Sequence, residues 1–314
     1  MSAIGKETGS NTPAAISHYL PGAGSIWVKN GTLSQKWLTD PNFVAIVPTG
    51  RRLLFFYRDT DRRNEIPFIG SICQVSSGNT LTYETLVKAP ISCDIGDFSF
   101  TKLVQVKYSK LGIYAIFMTP TRSFRKSAIC FYTYEWLERK ITTSAYLDEN
   151  LNKITWPPSS AKNKSIPHPT LCSNDVDQET RQFQQRFLRK YPQLETRISL
   201  NAIVYSESSK YGSHTAFDTD GDDVIFIGTD QGFLLTVVKY MNEEYKLFEA
   251  QNIFNTVQNC GNFTDSSVMR DVKLIQQSSE EVPMLYMAFD KCIVSIPATS
   301  CNKPAVCSEE TCSK

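Results

Sequence analysis

Short apolar runs punctuated by glycine, asparagine and aspartate recur along most of this chain, and no other feature constrains its fold so strongly. The stretch "DDVIFIGTDQGFLLTVV" (222–238) shows the unit. Two runs rich in β-branched residues flank Gly228-Thr229-Asp230-Gln231-Gly232, the pattern of strand, polar turn and strand. The runs fall into sets. "NFVAIVPT" (42–49), "RLLFFYR" (52–58), "PFIGSICQV" (67–75) and "ETLVKAPISC" (84–93) form the first. "TKLVQVKYS" (101–109), "LGIYAIFMT" (111–119) and "SAICFYTY" (127–134) form the second, with a weaker run near Lys153–Trp156. "SHTAFD", "DDVIFIG", "GFLLTVVKY" and "YKLFEA" follow, then "RDVKLIQQ", "PMLYMAF" and "KCIVSIP". Three or four strands to a set, repeated roughly four times, predict an all-β chain built as a β-propeller, whose blades are four-stranded antiparallel sheets. Residues 222–238 are then the hairpin between the second and third strands of a blade, their glycines supplying turn conformations.

One segment breaks the pattern. "NDVDQETRQFQQRFLRKYPQLE" (174–195) is charged and places Phe183, Phe187 and Leu188 at i, i+4 and i+5, a helical face that ends near Tyr191-Pro192. It follows a Pro-rich loop, "ITWPPSSAKNKSIPHPTLC", too long for a hairpin, and long insertions in repeat scaffolds usually carry binding or cover an edge. Residues 1–17 read as a disordered segment, and 301–314 crowd three cysteines together.

Composition excludes several classes of function. Lys+Arg 33 against Asp+Glu 32 leaves a net charge of +1, so no global field recruits nucleic acid or an anionic membrane. No run of about 18 apolar residues exists to span a bilayer as a helix. His18, His168 and His214 are the only histidines, and no G-x-S-x-G, H-E-x-x-H or P-loop pattern occurs, so an enzyme is not expected. "DTDGDD" (218–223) suggests calcium, but an EF-hand loop needs Gly at its sixth position and Glu at its twelfth, where Asp223 and Thr229 stand; it reads as a polar turn.

The nine cysteines, at 73, 93, 130, 172, 260, 292, 301, 307 and 312, lack CxxC pairs and do not suit a zinc site. Dispersed among strands, they read as disulfides of an extracellular protein, with reduced core thiols as the alternative. The sequons at Asn30, Asn163 and Asn262 agree with export. The opening residues lack the basic and apolar regions of a secretion signal, and this conflict implies that the chain's true beginning is missing.

Several motifs, in order, resemble the sema domain of the semaphorin family. "KWLTDPNFV" (36–44) is similar to the Lys-Trp-Leu…Pro-Asn-Phe-Val entry to its middle blades, and "RLLFFYRDT" to the strand after it. "IGSICQV" with "YETLVKAPISC", "RKSAICFYTY", the Pro-rich loop ending in Cys172 and "FLRKYPQL" resemble successive family segments. "DDVIFIGTDQGFLLTVV" matches the family's Asp-Val-Leu-Phe-Leu-Gly-Thr-Asp-x-Gly hairpin, and "SIPATSC" its closing Val-Pro-x-x-x-Cys. The resemblance implies a partial sema propeller over 18–300, about four of the family's seven blades, with one helical insertion. A truncated, cysteine-rich start of a PSI module would occupy 301–314. Ser71-Ile72-Cys73 and Tyr191 depart from the family's Arg-Val-Cys and from the His of its His-Pro-Leu.

The same resemblance implies two nested disulfides, Cys73–Cys172 and Cys93–Cys130. Cys260 and Cys292 have no clear counterpart and are candidates to pair with each other in the last blade. It implies an extracellular ligand for plexin-type receptors in guidance or cell-contact signalling, acting without a cofactor and as a homodimer when full-length. The alternatives are a truncated form without receptor binding of its own, or another extracellular β-propeller or β-sandwich adhesion module. In the basic stretch "RQFQQRFLRK", Arg189 stands at the family's basic position before His-Pro-Leu, and with Lys190 it is the candidate contact to an acidic patch on a plexin. A solvated helix face explains the same charges more plainly. Trp37 is read as inter-blade packing, and Phe55, Phe56, Phe117 and Phe131 as blade core.

Overall fold

A computed structural model describes residues 41–61, 64–73, 85–119, 126–148, 150–158, 166–172, 176–206, 210–241, 243–253, 268–276, 282–290 and 292–298, with the backbone of 2–5, 15–20 and 24–27. The chain forms two compact units, Met1–Ser92 with Tyr134–Ser199, and Cys93–Thr133 with Leu200–Lys314.

The first unit opens with an antiparallel sheet of β1 (Ser2–Gly5), β2 (Ala15–Leu20) and β3 (Gly24–Trp27). Two of these strands fall within or across the segment 1–17. The runs "SAIG" and "AISHYL" pair so that Ile4 stands opposite Ile16. Next come β4 (Asn42–Thr49), β5 (Arg52–Asp61), β6 (Asn64–Cys73) and β7 (Val87–Ile95), an antiparallel meander. Phe55, Tyr57, Phe68 and Ile72 bury one of its faces against Phe43, Ile46, Ile66 and Leu86. Phe56, on the opposite face of β5, is fully buried too.

At its far end β7 belongs to the second unit, where Cys93–Ile95 pairs with β8 (Phe98–Phe100). There β9 (Lys102–Tyr108), β10 (Gly112–Met118) and β11 (Ser127–Thr133) form consecutive antiparallel strands. The chain then continues in the first unit with α1 (Tyr134–Thr143), a second helix in addition to the one expected. Leu137 and Ile141, one turn apart, are its buried side chains, and Glu135 and Lys140 suit the charges of its ends. The aromatic run "SAICFYTY" hides its start, because strand and helix share Thr133-Tyr134 as a junction. Beyond it lie β12 (Tyr146–Leu147), β13 (Lys153–Ile154), α2 (Gln178–Lys190) and β14 (Gln193–Leu194). The sheet runs β13-β12-β14-β7-β6-β5-β4, with β14 parallel to β7.

After β15 (Ile198–Asn201) the second unit resumes with β16 (Val204–Tyr205), which pairs with β11 to complete a four-stranded sheet. Next are β17 (His214–Asp220), β18 (Val224–Thr229), β19 (Phe233–Lys239) and β20 (Tyr245–Asn252), then β21 (Asp271–Ile275), β22 (Met284–Ala288) and β23 (Ile293–Pro297). The hairpin at 222–238 joins the second and third strands of the sheet β17-β18-β19-β20. Gly232 takes the left-handed conformation of the turn (φ +74°). Gly228 does other work: it lies within β18, and a Cβ there would stand 2.3 Å from Sδ of Met269.

Strands β17–β19 of this sheet bury side chains on both faces. Phe217, Ile225, Ile227, Leu235 and Val237 pack with Tyr114, Ile116 and Ile129 of the preceding sheet. Val224, Phe226 and Leu234 pack with Val272, Leu285 and Met287 of the following one. The first strands of the three sheets are also tied together. The amide of Phe217 donates to Oε1 of Gln105 (2.8 Å), and the amide of Leu274 donates to Oδ2 of Asp218 (2.8 Å).

Candidate recognition site

The helix expected to carry binding, α2, starts where Asp177 accepts a hydrogen bond from the Thr180 amide (2.9 Å), an N-cap that satisfies one orphan donor. Gln184, Phe187 and Leu188 face inward. Trp156 packs against both Phe183 and Phe187, with ring centroids 5.6 and 4.8 Å apart, and Tyr146 meets Phe187 edge-on. With that face committed to packing, Arg186, Arg189 and Lys190 stand exposed. Lys190 holds its ammonium 5.1 Å from the centre of the Tyr191 ring.

The segment 166–172 has little backbone ladder, so side chains hold it. Trp156 Nε1 donates to the carbonyl of Ile166 (3.3 Å) and Gln184 Nε2 to that of Pro167 (2.9 Å). Thr170 Oγ1 donates to the Ile141 carbonyl (3.1 Å) and lies 2.7 Å from Nδ1 of His168. Arg52, at the start of β5, is 2% exposed. Its Nη2 donates to Oε1 of Glu138 (2.6 Å) and to the Thr170 carbonyl, its Nε to Oε2 of Glu138, and its Nη1 to Oγ of Ser71 (3.3 Å). One buried guanidinium thus joins β5, β6, α1 and the loop. Burial, with the nearby Arg52 charge, lowers the pKa of His168 to about 4 against the pull of a Ser144 backbone hydrogen bond. The imidazole therefore stays neutral at physiological pH, stacked on Tyr146.

Cys73 and Cys172 form a disulfide that ends the same loop on β6, and Cys93 and Cys130 form another in the second unit. Cys292 is disulfide-bonded as well. Cys260, Cys301, Cys307 and Cys312 lie outside the described residues, as do Trp37 and the sequon asparagines Asn30, Asn163 and Asn262. Residues 221–223 of "DTDGDD" form the turn between β17 and β18. Among the described residues no cluster of His, Cys, Asp or Glu could hold a metal ion, and no helix is long and apolar enough to cross a membrane. Phe55, Phe56 and Phe117 are buried, and Phe131 is half-buried against the Tyr114 ring, 4.4 Å away.

Successive antiparallel sheets packed face to face in the second unit follow the blade pattern of a β-propeller. A family model described as the Sema domain matches residues 101–263, more than half of the 314 residues, and the chain belongs to that family. Its fold is the β-propeller of sema domains, carried in part, and it is not an enzyme.

Human (Homo sapiens) Semaphorin-6A is 22% identical to it over 320 residues, which cover 88% of this chain and 30% of that protein. The chain thus spans well under half the length of this curated relative. Among solved structures, Drosophila Semaphorin 2a superposes with a TM-score of 0.64 at 20% identity, over 92% of this chain and 50% of that one. A structure titled Drosophila Plexin A in complex with Semaphorin 1b gives 0.63 at 16% identity, over 92% and 60%.

Arg52, Glu138 and His168 escape a reading of the sequence for function. The one local hint is a charged residue at the edge of "RLLFFYR", and its partner lies 86 positions away.

Proposed function

We infer that this chain is the recognition part of an extracellular semaphorin-like ligand that binds a plexin-type receptor, in guidance or cell-contact signalling. The similarity to the fold seen in the Plexin A–Semaphorin 1b structure carries this reading. The basic end of α2, exposed while the helix's other face packs inward, supplies a surface for it. Arg189 and Lys190 contact an acidic patch on the receptor and set specificity and association rate more than raw affinity. The disulfides agree with an oxidising compartment. In the complete ligand two sema propellers pair, so that valency as well as contact conveys the signal. Residues 301–314 begin a PSI module, and Asn30, Asn163 and Asn262 carry glycans, which glycosidase treatment would reveal as a mass shift.

The test is surface plasmon resonance against a panel of plexin ectodomains. R189E/K190E should weaken binding by roughly tenfold, mainly through a slower on-rate that depends on salt, with Tm unchanged. Binding unaffected by charge reversal would remove α2 from the interface. No binding to any plexin would remove the receptor reading for this chain.

A further inference from the structure

Among the described residues, Leu151 and Glu243 are the two outside glycine that hold a left-handed backbone, with φ +64° and +65°. That conformation is unfavourable for both side chains. Glu243 is a charged turn residue and forms an ion pair with Lys239. Leu151 has no comparable reason. It lies between β12 and β13, is 54% exposed, and stands between Asn150 and Asn152, a residue type that tolerates the position far better. A single exposed leucine is ordinary. One that is exposed and also strained is unfavourable twice over.

Asp148 enforces the strain. Its Oδ1 accepts from the amides of Asn150 and Asn152 (both 2.8 Å), and its Oδ2 from Nδ2 of Asn152 (2.9 Å). Its carbonyl accepts from the Leu151 amide, and its own amide donates to the Asn152 carbonyl (both 3.0 Å). The bonds from Asn152 and Asn150, with the nearby Lys190 charge, hold the Asp148 carboxyl below the usual carboxylate range. The hairpin therefore stands beside the end of α2. Leu147, next to Asp148, pairs with Gln193 of β14, the strand into which α2 leads, and all of these elements belong to the first unit. The acidic groups here are engaged: Asp148 in the turn, and Glu195 with Lys153 (2.9 Å). What faces outward is a fixed apolar tip near the exposed cations Lys190 and Arg189.

We propose that Leu151 is the apolar anchor of the receptor contact, seated in an apolar cleft whose acidic rim meets Lys190 and Arg189. The inference rests on the plexin reading and adds to it the residue that sets residence time. Exposed charges steer the encounter, whereas a buried anchor slows dissociation. A tip already held in its bound shape loses little conformational freedom on docking, which gives the strained backbone a use.

Surface plasmon resonance of the full chain against plexin ectodomains, with thermal unfolding of the same variants, tests this. Leu151→Asn should weaken binding about tenfold through a faster off-rate, leaving the on-rate unchanged. It should also raise Tm, because asparagine accepts the left-handed backbone. Leu151→Met, apolar and of similar volume, should bind within about twofold of the parent. Binding by Leu151→Asn equal to that of the parent overturns the anchor and leaves the receptor reading in place. A fall in Tm for Leu151→Asn also overturns it, since the leucine would then serve the fold. Absence of parent binding to every plexin removes the receptor reading, and the anchor with it.

Discussion

The loop 166–172 and the sheet β17–β20 each bury part of their length, but they are held by opposite means. The sheet pairs its own backbone and needs only apolar side chains that alternate between its faces, Ile225 and Ile227 to one core, Val224 and Phe226 to the other. The loop pairs few of its carbonyls with its own backbone and takes donors from elsewhere, Arg52, Gln184 and Trp156, while its Thr170 hydroxyl donates outward to the Ile141 carbonyl and a disulfide fixes its end. A regular element is therefore sensitive to volume, and an irregular one to the loss of single polar or covalent links.

The largest expected effect breaks the covalent link. C73S/C172S releases a closure spanning a sequence separation of 99 and should destabilise by roughly 4–5 kcal/mol in the chain-entropy model. Chemical unfolding gives the total, and hydrogen exchange locates it. Faster exchange should centre on 166–172 and α2. Loss confined to β17–β20 would show that the two regions do not differ as described.

Acid comes next. Burial lowers the pKa of His214 from 6.5 to about 4, so the folded state disfavours its protonation. Its contribution is complete above pH 6.5 and disappears as pH falls from 6.5 through about 4, on the order of 3 kcal/mol. His168 shifts the same way, chiefly through burial, so the loop also weakens in this window. His214→Gln should flatten the pH dependence of β17–β20 and leave that of 166–172 intact. Equal flattening in both would make the two histidines one system.

That contrast also explains how much of the molecule could be read in advance. The sheets were legible because period-two alternation and turn residues are local: "DDVIFIGTDQGFLLTVV" alone specifies β18, its turn and β19. Its two glycines look alike in sequence, yet only Gly232 serves the turn; the need for Gly228 arises from Met269, 41 positions on (269 − 228). α2 was legible from Phe183, Phe187 and Leu188, but α1 was masked by the aromatic run leading into it. The clasp on 166–172 was not legible at all, because Arg52, Glu138 and Thr170 meet only through tertiary structure. The cysteine pairs were accessible only through resemblance to the family, since spacing leaves the connectivity open.

Two smaller perturbations sharpen the contrast by acting on volume in one region and on hydrogen bonding in the other. Gly228→Ala puts a Cβ 2.3 Å from Met269 Sδ and should cost roughly 1–3 kcal/mol through overpacking. Met269→Ala should relieve part of that, so the double variant is less damaged than the sum of the singles. Additive losses would mean that the close approach is not the cause. Thr170→Val keeps the side chain's shape in a site with no exposure, but removes the hydroxyl that donates to the Ile141 carbonyl and meets His168. Its expected cost is about 1 kcal/mol, the net worth of a buried hydrogen bond. If thermal unfolding shows no loss, the loop would be held by packing, as the sheet is.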